Sequence, residues 1–173
     1  DGCEKAFSTP GIVKAMTNTF SLAITRQALA LVIGAFFAWL IARTDIPMKG
    51  TLEFFFWLSF FLPALPETMG WILLLDPKYG LLNQGLRSLG LTQPLFNIYS
   101  FWGSVWAHLG GSVSVKVMLL APAFRNLDAA FEEASKISGA SGWHTFFHIV
   151  IPVMMPAILV TTILGTIRSL EAF

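Results

Sequence analysis

The sequence has few charged residues and a single cysteine. Only 12% of its 173 residues are Asp, Glu, Lys or Arg, whereas 55% are apolar, and a soluble domain has about 25% charged residues. So few charges cannot cover the surface of a soluble domain of this length, and no basic patch is available for a nucleic acid. The composition therefore indicates a bilayer protein and excludes disordered, fibrous and nucleic-acid-binding classes.

Other absences narrow the description further. Cys3 is alone, so it forms no intrachain disulfide and no structural metal site. No initiator Met and no basic segment precede the first apolar run, so no signal peptide is visible. The chain starts in polar sequence and stops at Phe173 inside an apolar run. We expect it to be an internal portion of a longer protein.

Four apolar stretches are long enough to cross a membrane, which takes about 20 residues of helix. Prolines interrupt the second stretch at Pro63 and Pro66, and the fourth at Pro152 and Pro156. The sequence predicts an all-α, polytopic transmembrane bundle. Its four spans are expected at about 17–42, 52–75, 100–124 and 150–173. The segments on each side of the membrane contain four Lys and Arg residues. The distribution of positive charge therefore does not determine how the chain is oriented in the membrane.

The most charged segment, 125–152, separates the third and fourth stretches. It predicts two short helical pieces on either side of Gly139, the first around Phe131 and the second beginning near Trp143. A hairpin of this kind at the membrane surface is suited to docking in a groove. An interfacial helix with Trp143 at the headgroup level is equally compatible with the residues.

The same segment resembles the EAA loop of the membrane subunits of binding-protein-dependent ABC importers. That pattern is Glu-Ala-Ala, three residues, Gly-Ala, five residues, Phe, two residues, Ile, two residues, Pro. Ser135 replaces the second alanine, and Ser138 replaces an acidic residue before the glycine. The matching positions are Glu133, Ala134, Gly139, Ala140, Phe146, Ile149 and Pro152.

The resemblance covers nearly the whole chain. The run ending in WLIARTDIP is similar to the first core helix of type I permeases, FFLPALPETMGW to their proline-broken second helix, and GLLNQGL to their periplasmic connection. It implies a partial permease domain over 1–173, with a cytoplasmic coupling loop at 125–149 and a further core helix after Phe173. The location implied is a bacterial inner membrane, crossed several times.

The resemblance also implies roles for the loop residues. The hairpin would sit in a cleft of a cytoplasmic ATPase subunit, where Glu133 pairs with a basic side chain and Ala140 lies against the partner. Gly139 would form the tight turn, and Phe146 and Ile149 would anchor the hairpin. The chain itself would be a non-catalytic subunit without a cofactor. Its partners would be the ATPase subunits, a periplasmic or extracellular substrate-binding protein, a second permease half and the lipid bilayer.

The ending RSLEAF is similar to that of ferric-iron permeases, so the predicted substrate is ferric iron. Thiamine, polyamine, sulfate and phosphonate permeases are near relatives, and their substrates are alternatives. Two other classes stay open, a secondary transporter with broken helices and a membrane-embedded enzyme. An enzyme would need clustered carboxylates, and the only such cluster, Asp128, Glu132 and Glu133, coincides with the EAA loop.

Ionisable residues inside the predicted spans are possible members of a translocation path. Each has an alternative: Arg26 and Lys116 can extend toward the membrane surface, and Arg168 and Glu171 can neutralise each other. Glu67 is the strongest possibility, because two prolines free backbone carbonyls beside it. The predicted path residues are Glu67, Pro63, Pro66, Lys116, Arg168 and Glu171, with Arg26 as a weaker addition.

One further pattern is expected to carry no function of its own. His144 and His148 have the spacing of a metalloprotease helix, but Thr145 stands where the catalytic Glu would be and no third ligand is near. We expect no metal site and no catalytic residue, and we interpret both histidines as part of the polar face of the hairpin.

Overall fold

The computed structural model describes residues 11–171, without the side chains at 129, 132, 136 and 169–171. Within that range the chain forms helices and no strand. This confirms the predicted all-α class. The elements are α1 (Ile12–Arg43), α2 (Lys49–Phe61), α3 (Ala64–Leu75), α4 (Leu81–Ser88), α5 (Phe101–Arg125), α6 (Ala129–Ile137), α7 (Gly142–Thr145), a π-helical turn (Phe146–Val150) and α8 (Ile151–Glu171).

Three helical runs are long and apolar enough to cross a membrane. They are Ile12–Arg43, Phe101–Arg125 and Gly142–Arg168, and the pair α2 and α3 provides a fourth if it counts as one broken span. Large apolar side chains such as Phe36 and Leu159 lie exposed on these runs. A bilayer accepts such side chains because its interior is apolar, while helices satisfy their own backbone polar groups.

The proline positions differ from the sequence expectation in two places. In the second stretch the helix stops at Phe61 and restarts at Ala64, so the break lies at Leu62 and Pro63. Pro66 falls in the first turn of α3, where an amide has no helical acceptor and its loss costs nothing. In the last stretch Pro152 and Pro156 do not interrupt the helical run Gly142–Arg168.

The chain divides into two compact units, and the second contains Leu31–Phe61 and Val113–Gly165. Its apolar core joins the end of α1, the end of α5 and the start of α8. Arg43 donates a hydrogen bond to the Leu127 carbonyl, and Arg125 pairs with Glu53 at 2.7 Å. The buried core residues are Ala38, Leu120, Ala121, Phe124, Leu127, Val150 and Met154.

Within this second unit, α1 and α5 approach closely where Gly34 faces Lys116. A Cβ on Gly34 would lie 2.4 Å from the Cβ of Lys116, which is closer than two such atoms can approach. Lys116 is only 1% exposed. Small residues allow the backbones of membrane helices to approach in this way, so Gly34 makes the space in which the stem of Lys116 is buried.

Of the described residues, the first unit contains 11–30, Leu62–Ser112 and 166–171. Leu75, Ile98 and Ala107 form its small apolar core, and the rings of Trp71 and Trp106 meet edge to face at 5.7 Å. Aromatic rings favour this arrangement. Through this core, Ile98 of the segment between α3 and α5 packs with Leu75 of α3 and Ala107 of α5.

That connection is held by two side chains, Asn83 and Asp76. Asn83 is 1% exposed and donates to the carbonyls of Asp76, at 2.9 Å, and Phe96, at 2.8 Å. Asp76 Oδ1 accepts from the backbone amides of Lys78 and Tyr79, and its Oδ2 accepts from the Tyr99 hydroxyl at 3.0 Å. The segment 76–99 is therefore an ordered cap rather than a loose loop.

The Asp76–Tyr99 hydrogen bond gives a prediction for a pH titration. The bond to Asp76 raises the pKa of Tyr99, and backbone amides of Tyr79 and Lys78 lower the pKa of Asp76. The stability that Tyr99 contributes is thus present below its ordinary pKa and is lost as the pH rises through the raised value. The stability from Asp76 is present above its ordinary pKa and is lost as the pH falls.

The difference in absorbance between the parent protein and Tyr99→Phe isolates the titration of the Tyr99 phenol. We expect its tyrosinate absorbance to appear above the ordinary pH range of tyrosine, and Asp76→Asn to move the midpoint back down by removing the charge. If the titration midpoint of Tyr99 is unchanged in Asp76→Asn, the Asp76 carboxylate does not raise the pKa of Tyr99.

Candidate functional site

The segment that follows α5, here called the hairpin (residues 128–150), has the two helices that the sequence predicts around Gly139. Asp128 begins it, because its Oδ1 accepts from the Ala130 amide at 2.9 Å, which satisfies one free donor at the start of α6. α6 then runs from Ala129 to Ile137. Glu133 and Ala134 lie exposed on this helix, available to another molecule.

Gly139 makes the turn of the hairpin through its backbone conformation. Its φ is +77°, a value that residues with a Cβ rarely adopt. The Ala140 amide donates to the Ser135 carbonyl at 3.1 Å, which is the six-to-one bond of a Schellman helix end. A Cβ at 139 would meet nothing within 4 Å. Glycine is therefore required here for its conformation and not for space.

The second half of the hairpin begins at Ser141, which caps α7. Its Oγ accepts from the His144 amide at 3.3 Å. Thr145 Oγ1 donates to the Ser141 carbonyl at 3.1 Å and lies 2.7 Å from Ser135 Oγ, both side chains being buried. This hydroxyl pair joins α6 to α7 across the turn. It also gives a physical reason for a serine at 135, where the EAA pattern has alanine.

The hydroxyl pair predicts a non-additive loss of stability. Thr145→Val should reduce the free energy of unfolding by about 1–3 kcal/mol, because the buried Ser135 hydroxyl loses its partner. Adding Ser135→Ala should recover part of that loss, since both polar groups are then absent. Thermal unfolding of the two single variants and the double variant measures the coupling. Additive losses would contradict a direct bond between the two hydroxyls.

The hairpin continues into the last spanning helix without a break. The π-helical turn Phe146–Val150 connects α7 to α8, and the Ile151 amide donates five residues back, to the Phe146 carbonyl. Pro152 has no amide to offer the His148 carbonyl, and the wider turn lies directly before it. A displacement of α7 would therefore be transmitted along one helical run to α8.

Phe146 holds the hairpin on the spans of the second unit. It is half-buried against the core of that unit, and its ring meets the Trp39 ring edge to face at 6.3 Å. Ile149 is half-buried as well, whereas Pro152 is exposed. Among the predicted coupling residues, Phe146 thus packs on the core of the second unit, whereas Glu133, Ala134 and Pro152 are exposed.

The outward face of the hairpin is mostly apolar. Ile137 is 87% exposed and Trp143 is 75% exposed, and the Trp143 and Phe147 rings stack at 6.0 Å. Ala140 is half-buried beside them. A surface with these large apolar side chains and the exposed carboxylates of Asp128 and Glu133 is suited to a partner that has an apolar cleft and a basic side chain.

The predicted path residues do not form one cluster. Glu67 is half-buried in the first unit, where its Oε1 accepts from the Gly111 amide at 3.1 Å. Lys116 is buried in the second unit, and Arg26 is buried on α1 in the first. Pro63, Pro66 and Arg168 are exposed, and the side chain of Glu171 lies outside the described residues.

The two histidines of the hairpin stack on each other, with ring centroids 4.1 Å apart. His148 Nδ1 lies 3.2 Å from the His144 carbonyl. Among the side chains that the structure describes, no three of the types His, Cys, Asp and Glu come together as metal ligands. Sequence reasoning missed the Ser135–Thr145 pair, Gly34 and the Gly110–Gly111 pair. Adjacent glycines inside an apolar helix were the available signal for the last of these.

Fold and hairpin define the class as a polytopic helical membrane protein with a helix–glycine–helix hairpin that continues into the apolar run Gly142–Arg168. The chain belongs to the family of binding-protein-dependent transport system inner membrane components, which it matches over residues 30–173. This confirms a multi-pass, inner-membrane location and a type I ABC permease class. The members of this family are described as transport-system components, as the resemblance implied.

Two curated relatives illustrate the similarity. The molybdenum transport system permease protein ModB of Escherichia coli (strain K12) is 33% identical over 146 residues, covering 83% of this chain and 61% of the relative. The probable sulfate transport system permease protein cysT of Marchantia polymorpha is 28% identical over 170 residues, covering 95% and 55%. The chain thus spans little more than half the length of these relatives.

A solved structure supports the fold. The bacterial alginate ABC transporter, crystallised with an alginate pentasaccharide-bound periplasmic protein, aligns with a TM-score of 0.80 at 16% identity. The alignment covers 95% of this chain and 59% of that one. The relatives are named for molybdenum and sulfate rather than iron. The predicted ferric-iron substrate and the predicted kinship with ferric-iron permeases are therefore not confirmed.

Proposed function

We propose that the chain is the membrane core of a permease subunit in an ATP-driven importer, with the hairpin as its contact to a cytoplasmic ATPase subunit. The observation that carries the proposal is the hairpin itself. Its turn depends on the φ of +77° at Gly139, it exposes Glu133 and Ala134, and it is continuous with a spanning helix.

In this proposal each residue of the EAA pattern has a role in coupling the ATPase to the spans. Glu133 pairs with a basic side chain of the ATPase, and Ala134 and Ala140 allow close approach. Phe146, which packs against the core of the second unit, transmits the force together with Ile149. Closure of the ATPase dimer on ATP would move the hairpin and shift the spans between inward-open and outward-open states. The chain itself would break no covalent bond.

The other proposed partners are a substrate-binding protein outside the membrane and a second permease half or copy. The family description names a binding-protein-dependent system, and the similar alginate transporter was crystallised with a periplasmic protein. A substrate-binding protein delivers its cargo to the outer ends of the spans. The ordered segment 76–99 connects two such ends, which makes it a suitable surface for that contact.

For the substrate we propose a tetrahedral oxyanion of the molybdate or sulfate type. Relatives named for molybdenum and sulfate support this choice, and in neutral water both elements occur as dianions of the same shape.

Uptake by the native protein, assembled with its ATPase and binding protein, tests the proposed substrate. We expect ATP-dependent accumulation of labelled molybdate or sulfate, competition by other tetrahedral oxyanions, and no accumulation of labelled ferric iron. Iron uptake at the rate of the oxyanions would contradict the substrate. Accumulation that persists with a hydrolysis-deficient ATPase would contradict the importer mechanism and favour a secondary transporter.

A further inference from the structure

Glu67 lies directly on the backbone of α5, at a pair of glycines. Its Oε1 accepts a hydrogen bond from the Gly111 amide at 3.1 Å. A Cβ on Gly110 would lie 3.0 Å from Oε1, and a Cβ on Gly111 would lie 3.0 Å from Oε2. Both distances are tighter than ordinary contacts, so a side chain at either glycine would require the carboxylate to shift by a few tenths of an ångström.

The contact lies at the point where α3 needs a partner. α3 begins directly after the break, its N-cap is Pro63, and no side chain caps it. Pro66 removes a further amide from the first turn, and Glu67 is the acidic residue of that turn. The helix dipole favours a negative charge in this position. The carboxylate therefore places a negative charge in the first turn of α3 and joins this helix to α5 through Gly111.

We infer that Glu67 is a positioning residue that fixes the start of the broken helix on α5 through Gly110 and Gly111, and not a ligand of the transported ion. The inference rests on the proposed function, because an exposed carboxylate in the path would repel an oxyanion. With its oxygen bonded to the Gly111 amide, the carboxylate sets where α3 begins.

Four variants of the native protein test this assignment. Glu67→Gln keeps an oxygen that accepts from Gly111 but removes the charge, whereas Glu67→Ala removes the contact. Gly111→Ala displaces the carboxylate by its added Cβ. Gly70→Ala is the matched control, because it is a glycine of the same helix α3 whose Cβ would meet nothing within 4 Å.

Kinetics of oxyanion uptake separate positioning from binding. We expect Glu67→Gln and Gly70→Ala to transport like the parent protein within about 3-fold, while Glu67→Ala and Gly111→Ala lose about 10-fold or more of the maximal rate with KM unchanged. Normal uptake by Glu67→Gln would show that the hydrogen bond to Gly111 is required and the negative charge is not. A raised KM or lost uptake in Glu67→Gln, with Gly111→Ala normal, would overturn the inference.

Thermal unfolding of the solubilised protein gives a readout that does not depend on transport. Glu67→Ala and Gly111→Ala should each lower the midpoint temperature of unfolding by about 2–4 °C. The double variant should be at least as stable as the less stable of the two single variants. Additive losses would overturn the contact. If no oxyanion is transported but the losses are non-additive, the proposed function fails while the positioning role stands.

Discussion

Gly139→Pro should abolish binding of the ATPase subunit and ATP-dependent uptake. Proline holds φ near −65°, and the turn has φ +77° at this residue. The exchange would also remove the geometry in which the Ala140 amide reaches the Ser135 carbonyl. With that helix end lost, α6 and α7 would no longer present Glu133 and Ala134 in one arrangement to the partner.

A graded series at the same position separates conformation from size. Gly139→Asn should retain most activity, because asparagine tolerates a positive φ. Gly139→Ala should be intermediate, and Gly139→Val should approach the proline variant, with strain of about 1–3 kcal/mol. Since a Cβ at 139 meets no atom within 4 Å, steric overlap would not produce this order.

Gly142→Ala is the matched control in the same hairpin. It too meets nothing within 4 Å, and it lies in the first turn of α7, where alanine favours the helix. Co-purification of the ATPase and initial uptake rates measure the whole series. If Gly139→Pro bound the ATPase and transported normally while the protein remained folded, the hairpin would not be the coupling element.

Glu133→Arg is the second exchange for which we expect a near-complete loss of coupling. Glu133 is exposed on α6, so the exchange leaves the internal packing of the hairpin intact. At an interface with a basic partner it replaces an attraction by a repulsion, and truncating one member of a buried charge pair already costs about 2–5 kcal/mol. The ATPase should therefore fail to co-purify, although the membrane protein accumulates at its normal level.

Asp45→Arg provides the control for net charge. Asp45 is exposed in the turn between α1 and α2, and its exchange changes the total charge by the same amount outside the hairpin. We expect normal binding of the ATPase in this variant. Equal losses in both variants would indicate a general effect of charge, and normal coupling in Glu133→Arg would remove the proposed ion pair.

Much of the fold could be predicted because its signals are local. A run of about 20 apolar residues crosses a bilayer whatever its neighbours are, and this predicts the three long helical runs. Gly139 and Ser141 are equally local signals, since one marks a helix end and the other a helix start. The wrong details concern prolines. Pro66 and Pro152 read as interruptions, but Pro66 lies in the first turn of α3, where a proline costs little, and Pro152 directly follows the π-helical turn Phe146–Val150.

The site was harder to predict, because its decisive contacts join residues far apart in the chain. The sequence by itself determined the membrane class, the helix–glycine–helix pattern and the resemblance that identified the family, since all of these are carried by neighbouring residues. Only the tertiary structure decided that Ser135 bonds Thr145, that Gly34 makes room for Lys116, and that Glu67 rests on Gly111. Hydrogen bonds and close packing depend on distances of a few ångströms in space, and such distances between remote residues arise only when the helices pack.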